Sequence, residues 1–254
     1  MATTIYRDML NFFRNEFANI ILLSLLTAMI SIIISYYVLT PSLISEQIQF
    51  LSNKNNMDIL SDISIKQIFE HISLDQQNIL LKVSTAGALA GLVGNTFLTG
   101  SLLTMISCIS NQRSISVLGA VVLSIRWLPR LLLLTLLTTL IIQLGLIFVV
   151  LPGFLTSIAF SLAPVIAITE NLGVIKSIRA STEIALNNLR FISPIILSGI
   201  FAKTILLLLA TKLTTCHPIF IAVLLNVFNN LITSLVLIYL YRLYMFLKKE
   251  ETIY

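Results

Sequence analysis

The sequence predicts an all-α integral membrane protein, a six-span helical bundle with interfacial amphipathic helices. Three observations predict it. The 254 residues are 57% hydrophobic and 11% charged, with a mean hydropathy of +0.98, whereas a soluble domain is about a quarter charged. Charge-free stretches recur at 17–45, 83–112, 131–169 and 213–241, and a further one at 191–211 is interrupted only by Lys203. The longest, Leu131 to Thr169, runs for 39 residues. As one helix it would extend ~58 Å, about twice a bilayer core, so it must fold back on itself.

Taken in order, residues 5–17 place Ile5, Met9, Leu10, Phe13 and Phe17 on one helical face and Arg7, Asn11 and Arg14 on the other. This reads as an interfacial helix leading into span 1, near 20–39. Span 1 has no small-residue cleavage site behind it and is expected to remain as an anchor. Residues 40–82 form the one sizeable outer segment. Within it Ser73-Leu-Asp-Gln76 matches a capping box, so the next helix is expected to begin near residue 74 and run into span 2, near 84–109. Gly87, Gly91 and Gly94 in that span fall at i, i+4, i+7, a small-residue face along which another helix could approach closely. Spans 3 and 4, near 131–151 and 153–169, are expected to be joined by Pro152-Gly153. Proline lacks an amide proton and glycine accepts positive φ, which suits a tight outer reversal. Spans 5 and 6 are placed near 191–211 and 219–241. Segments 116–130 and 173–190 each end on an arginine at the start of a span and read as amphipathic helices in the inner interface. In the second, Val174, Ile178, Ala185 and Leu189 lie opposite Lys176, Arg179, Glu183 and Asn187.

The basic residues set the orientation. Of 16 Lys and Arg, 11 fall at the N-terminus, in the 110–130 and 170–190 loops, and in the C-terminal tail. Under the positive-inside rule both termini are expected in the cytoplasm. The net charge of +5 is then an asymmetry across the membrane. It is matched to lipids with anionic headgroups at the cytoplasmic face, not to nucleic acid. Cys108 and Cys216 fall on opposite sides of the membrane and cannot bridge within one chain.

Chemistry-bearing constellations are sparse, and no catalytic, cofactor-binding or metal-ligating residue is assigned. His71 and His217 are the only histidines, both outside the spans. Cys216-His217 supplies two potential zinc ligands where a site needs three or four. No carboxylate lies within a span. The feature that stands out is Lys203, ~18 Å into span 5 by helix rise. Gln143, Asn229 and Asn230 lie at a similar level and Asn95 slightly deeper, a candidate midplane polar cluster. Insertion needs no functional cause: a central Lys costs ~3 kcal/mol, while the 12 Leu, Ile and Phe residues of span 5 return ~5. Three readings therefore stand: a snorkelling lysine, a structural polar cluster, or a site for a ligand or lipid headgroup.

The segments YRDMLNFFRN, GLVGN, LTTLIIQLGLIFVVLPG, LAPV, AKTILLLLA, NLI and IYLYRLYM, in this order along the chain, together resemble the YciC family of uncharacterised enterobacterial inner-membrane proteins. The resemblance implies a single six-span membrane domain over 1–254 and carries no catalytic or ligand residue with it. A narrower stretch is similar to the membrane modules found beside glycerophosphodiester phosphodiesterase domains, at Pro152, Gly153, Glu170, Gly173, Ser177 and Ser181. The phosphodiesterase domain itself is absent. The function expected is a non-enzymatic role in organising the membrane or envelope, without cofactor, with a homo-oligomer or a membrane-protein partner left open. The alternative is transport or binding of a lipid or small solute through the layer around Lys203.

Overall fold

The computed structural model describes residues 2–38, 74–113, 115–148, 150–210 and 218–251. The described residues form ten helices: α1 (Ala2–Asn15), α2 (Phe17–Val38), α3 (Leu74–Ser110), α4 (Val117–Ser124), α5 (Leu128–Phe148), α6 (Val150–Ala159), α7 (Ala163–Thr169), α8 (Val174–Asn187), α9 (Leu189–Ala210) and α10 (Pro218–Glu251). The chain divides into two compact units, Met1–Met29 with Leu92–Tyr254, and Ile30–Gly91. Of the second, the described residues are the end of α2 and the start of α3. Six stretches are long and apolar enough to cross a bilayer: Phe17–Ser35, Ser84–Ser110, Leu128–Ile147, Leu151–Thr169, Leu189–Leu209 and Ile221–Lys249. These match the six spans read from the sequence. Leu74, near which the next helix was expected to begin, is helical and is the first described residue after the outer segment. Ser73, most of the outer segment 40–82, both histidines and Cys216 lie outside the described residues.

Within the larger unit α5 and α6 form an antiparallel hairpin, but its reversal is not where Pro152-Gly153 was expected to make it. Both residues lie inside α6, and no glycine among the described residues has positive φ. Pro152 is the third residue of α6, where its missing N–H is one that the helix leaves unbonded anyway. Gly153 is needed for contact instead of for turning. A β-carbon on it would stand 2.6 Å from Leu146 Cγ and 2.7 Å from the Leu146 backbone nitrogen.

The fourth span is also not one helix. It breaks at Phe160–Leu162 into α6 and α7, because Pro164 in the first turn of α7 cannot continue the ladder of the preceding helix. Inside a membrane the carbonyls freed at such a break need partners, and three of them have one. Ile158 O accepts from Ser161 N (3.2 Å) and Ser161 Oγ (2.8 Å), and Phe160 O accepts from Ala163 N (3.1 Å). Ala159 O accepts from Ser181 Oγ of α8 at 2.6 Å.

That last bond explains α8. The apolar face read from the sequence does pack inward, with Ala185 buried and Val174, Ile178 and Leu189 half-buried against the core, while Lys176, Arg179, Glu183 and Asn187 are exposed. The fully buried positions of α8 are Ser177, Ser181 and Ala185, at i, i+4, i+8, while Ile175 and Leu186 are exposed. Small residues let α8 approach the α6–α7 break closely enough for Ser181 to reach it. The segment 116–130 likewise resolves into α4, capped by Ser116 Oγ accepting from Gly119 N, then a turn and the start of α5. One face of α4 is buried through Val117, Ala120 and Ser124, and Leu118, Val122 and Leu123 project from the other.

Elsewhere helices meet at small or hydroxylic residues, as packing in lipid requires. Thr96 of α3 and Thr135 of α5 share a buried hydrogen bond of 2.9 Å, and Ser101 of α3 and Ser124 of α4 one of 3.1 Å. At the α9–α10 crossing a β-carbon on Gly199 would lie 2.9 Å from Val236 Cγ2. On the small-residue face of α3 Gly94 is buried, and a β-carbon on Gly87 or Gly91 would meet none of the described residues within 4 Å.

Candidate functional site at the basic end of the bundle

One end of the larger unit collects the helix termini and most of the basic residues. Its centre is Glu170, the first charge after the long apolar run. Glu170 caps the C-terminus of α7, where the helix dipole disfavours a carboxylate. Two residues one turn apart on α10 offset this: Tyr244 Oη and Lys248 Nζ each donate to Glu170 Oε1 at 2.6 Å. The Lys248 bond, and then the Tyr244 bond, hold the Glu170 carboxyl below its ordinary pKa of 4.5, while partial burial opposes them. The next residue, Asn171, sits in the left-handed region at φ 54°, a conformation asparagine tolerates at a helix end. From there its Oδ1 accepts from Arg130 Nη1 at 2.9 Å. The loop after α7 is thus fastened to the start of α5 and the end of α10.

Beside this fastening lies a cleft of ≈ 740 Å³, with Glu170, Glu183, Asn187, Asn188, Tyr244 and Lys248 among its lining residues. It offers hydrogen-bond donors and acceptors in a partly apolar wall. Among the described residues no group of three or more His, Cys, Asp or Glu side chains could hold a metal ion. The signal for Glu170 was legible, as a lone acid ending an apolar run. Its partners were not, because they lie 74 and 78 residues further along the chain.

The other side of this end is built by α1 against α10. Ile5, Met9 and Phe12 are buried, the Tyr6 and Tyr239 rings stand 4.8 Å apart, and the Arg242 guanidinium lies 5.2 Å from the Phe12 ring centroid. Leu10 of α1 and Phe17 at the start of α2, both on the apolar face read from the sequence, are exposed.

The midplane polar cluster does not assemble. Asn230 is buried and donates through Nδ2 to Ser24 O (3.1 Å) and Thr27 Oγ1 (3.0 Å), tying α10 to α2. Lys203, Gln143 and Asn95 are exposed and Asn229 is half-buried. No hydrogen bond among the described residues joins Lys203 to any of the four amides. Lys203 is also seven residues before the end of α9 at Ala210, about 10 Å by helix rise, so its stem can carry the ammonium toward that edge.

Ten helices, six of these apolar stretches and a polar end stitched by side-chain bonds define a multi-pass α-helical membrane protein. The chain belongs to the family described as "Uncharacterised protein family (UPF0259)", whose model matches residues 1–246. It is similar to a UPF0259 membrane protein of Sodalis glossinidius, 53% identical over 249 residues and covering 98% of both chains. A UPF0259 membrane protein of Pectobacterium carotovorum is 43% identical over 249 residues, covering 97% of this chain and 98% of its own. One of Yersinia pestis is 41% identical over 249 residues, covering 97% and 96%. No solved structure matches. The family is the one the YciC resemblance names, and these matches lend no support to the likeness with phosphodiesterase-associated modules.

Proposed function

We propose that this chain is a non-enzymatic organising component of the bacterial inner membrane, with both termini and the Glu170 end in the cytoplasm. The observation that carries the reading is how the interior polar groups are used. Asn230 holds α2 to α10, Ser181 closes the α6–α7 break, and Thr96 and Thr135 join α3 to α5. Each serves helix–helix geometry, and bonds of this kind in membranes average ~0.6 kcal/mol apiece. Transport through a layer around Lys203 is not favoured, since no hydrogen bond among the described residues joins Lys203 to Asn95, Gln143, Asn229 or Asn230. The orientation is supported by the basic residues gathered at the end that holds Arg130, Glu170 and Lys248.

Extraction of the full chain in native nanodiscs tests the function. A reproducible enrichment of particular lipids or membrane proteins is expected. Solute flux or substrate turnover by the purified chain in liposomes would overturn the reading. The orientation has its own test: a membrane-impermeant thiol reagent applied to intact cells should leave Cys108 unlabelled, and labelling of Cys108 would invert it.

A further inference from the structure

The geometry points to the outer flank of α1 as a binding groove for an anionic phospholipid of the adjoining leaflet, its phosphate held by Arg7 and Arg14. Both arginines are exposed, and neither has a hydrogen-bond or ion-pair partner among the described residues. A groove of ≈ 710 Å³ lies against Tyr6, Arg7, Leu10, Asn11, Phe13 and Arg14. Beside the arginines the surface is apolar, with Leu10 at 55% exposure and Phe17 at 46%. Phe13 packs edge-on to Phe17 at 5.4 Å.

The order of side chains around the helix suits a lipid. At 3.6 residues per turn, Phe13, Tyr6 and Leu10 form one strip of α1, Phe17 at the start of α2 extends it through Phe13, and Arg14 and Arg7 border it. The acid on this helix, Asp8, falls about 100° beyond Arg7, away from the strip. Glu16 is engaged by Asn19 Nδ2 at 2.7 Å. Charge complementarity within the groove is therefore with an anion, although the helix as a whole is nearly neutral. The depth also fits. Phe17 opens the first span, and α1 rests on α10 at Tyr239 and Arg242, so the groove lies where headgroups meet acyl chains. Arginine forks bind phosphate oxygens bidentately while apolar neighbours take the chain. A free phosphate would use the arginines and leave the strip uncovered, whereas a phospholipid uses both.

This names a lipid site within the proposed organising role. A nanodisc offers the same lipid to both faces, so its test does not depend on the orientation. The full chain is placed in nanodiscs of phosphatidylcholine with and without phosphatidylglycerol, extracted, and its retained lipid counted by native mass spectrometry. Wild type should retain phosphatidylglycerol. Each of Arg7→Gln and Arg14→Gln should weaken retention about fivefold, and the pair about thirtyfold. Arg113→Gln, at an exposed residue that does not line the groove, should leave it unchanged. Melting in phosphatidylcholine alone should match wild type for all variants. If the double glutamine variant melts lower there, the Arg7→Lys/Arg14→Lys pair replaces it and should keep the charge-dependent part of retention. Leu10→Ser should weaken lipid retention but not competition by inorganic phosphate. Unchanged phosphatidylglycerol in the double variant overturns the site. So does inorganic phosphate displacing the lipid fully while Leu10→Ser has no effect, or a dimer signal lost with the same arginines, which would assign the flank to a second copy.

Discussion

Gly145 and Gly153 face each other across the α5–α6 hairpin so closely that a β-carbon on Gly145 would lie 3.0 Å from Gly153 Cα. Two antiparallel helices joined within a residue or two can pack this tightly only where neither presents a side chain. On the Gly153 side the obstacle is the backbone nitrogen of Leu146, which no rotamer change can move. Gly153→Ala is therefore expected to destabilise the chain by about 1–3 kcal/mol, the cost of overpacking a fitted contact. Gly91→Ala should be neutral or stabilising by up to ~1 kcal/mol, since the β-carbon meets none of the described residues within 4 Å and alanine is the better helix former. Thermal melts of both variants in one detergent make the comparison, and equal losses would contradict the hairpin geometry.

Ser181 and Ser177 are both buried on α8, yet their removal should differ. Ser181 bonds Ala159 O across helices, so Ser181→Ala leaves a buried carbonyl without its partner and is expected to cost about 1–3 kcal/mol. Ser177 Oγ bonds only Leu172 and Gly173 carbonyls of its own segment. The Gly173 carbonyl already accepts from Ser177 N. Ser177→Ala should cost less than half as much in the same melts.

Asn230 and Lys203 give a second contrast. Asn230→Leu removes the bonds to Ser24 O and Thr27 Oγ1 and is expected to destabilise by about 0.6–1.7 kcal/mol. Lys203→Met removes a charge from an exposed position on an apolar helix and should be neutral or stabilising. The two effects should add. A coupling above ~0.5 kcal/mol in the double-mutant cycle would restore the link between these residues.

The Glu170 pair predicts an acid dependence. Folding lowers the Glu170 pKa below 4.5, so the folded state favours the ionised carboxyl. Its stabilisation is fully present above about pH 4.5 and is lost as pH falls through the lowered folded value. Glu170→Gln should cost about 0.2–1 kcal/mol at neutral pH, the range for exposed pairs, and less at high salt. The gap between wild type and variant should close as the pH falls below 4.5. A gap that stays constant with pH would show the glutamate acting without its charge.

The amino-acid sequence by itself determined the class of this protein and the number and rough bounds of its spans. Those follow from summed transfer free energy along the chain, a local quantity that bilayer thickness converts directly into helix length. Tertiary structure decided what the sequence left undetermined, which was direction around each helix and the identity of partners far along the chain. Pro152 and Gly153 carry a reversal signal in any local reading, but the proximity of Gly153 to Leu146 makes them the first turn of α6. Lys203 and Asn230 share a depth, and only the packing of α2 on α10 turns Asn230 toward Ser24, while Lys203 is left exposed. Glu170 announces itself as an isolated charge, yet Tyr244 and Lys248 become its partners only when α10 returns to the same end. Hydropathy sums over neighbours in sequence, whereas hydrogen bonds and close glycine contacts depend on neighbours in space.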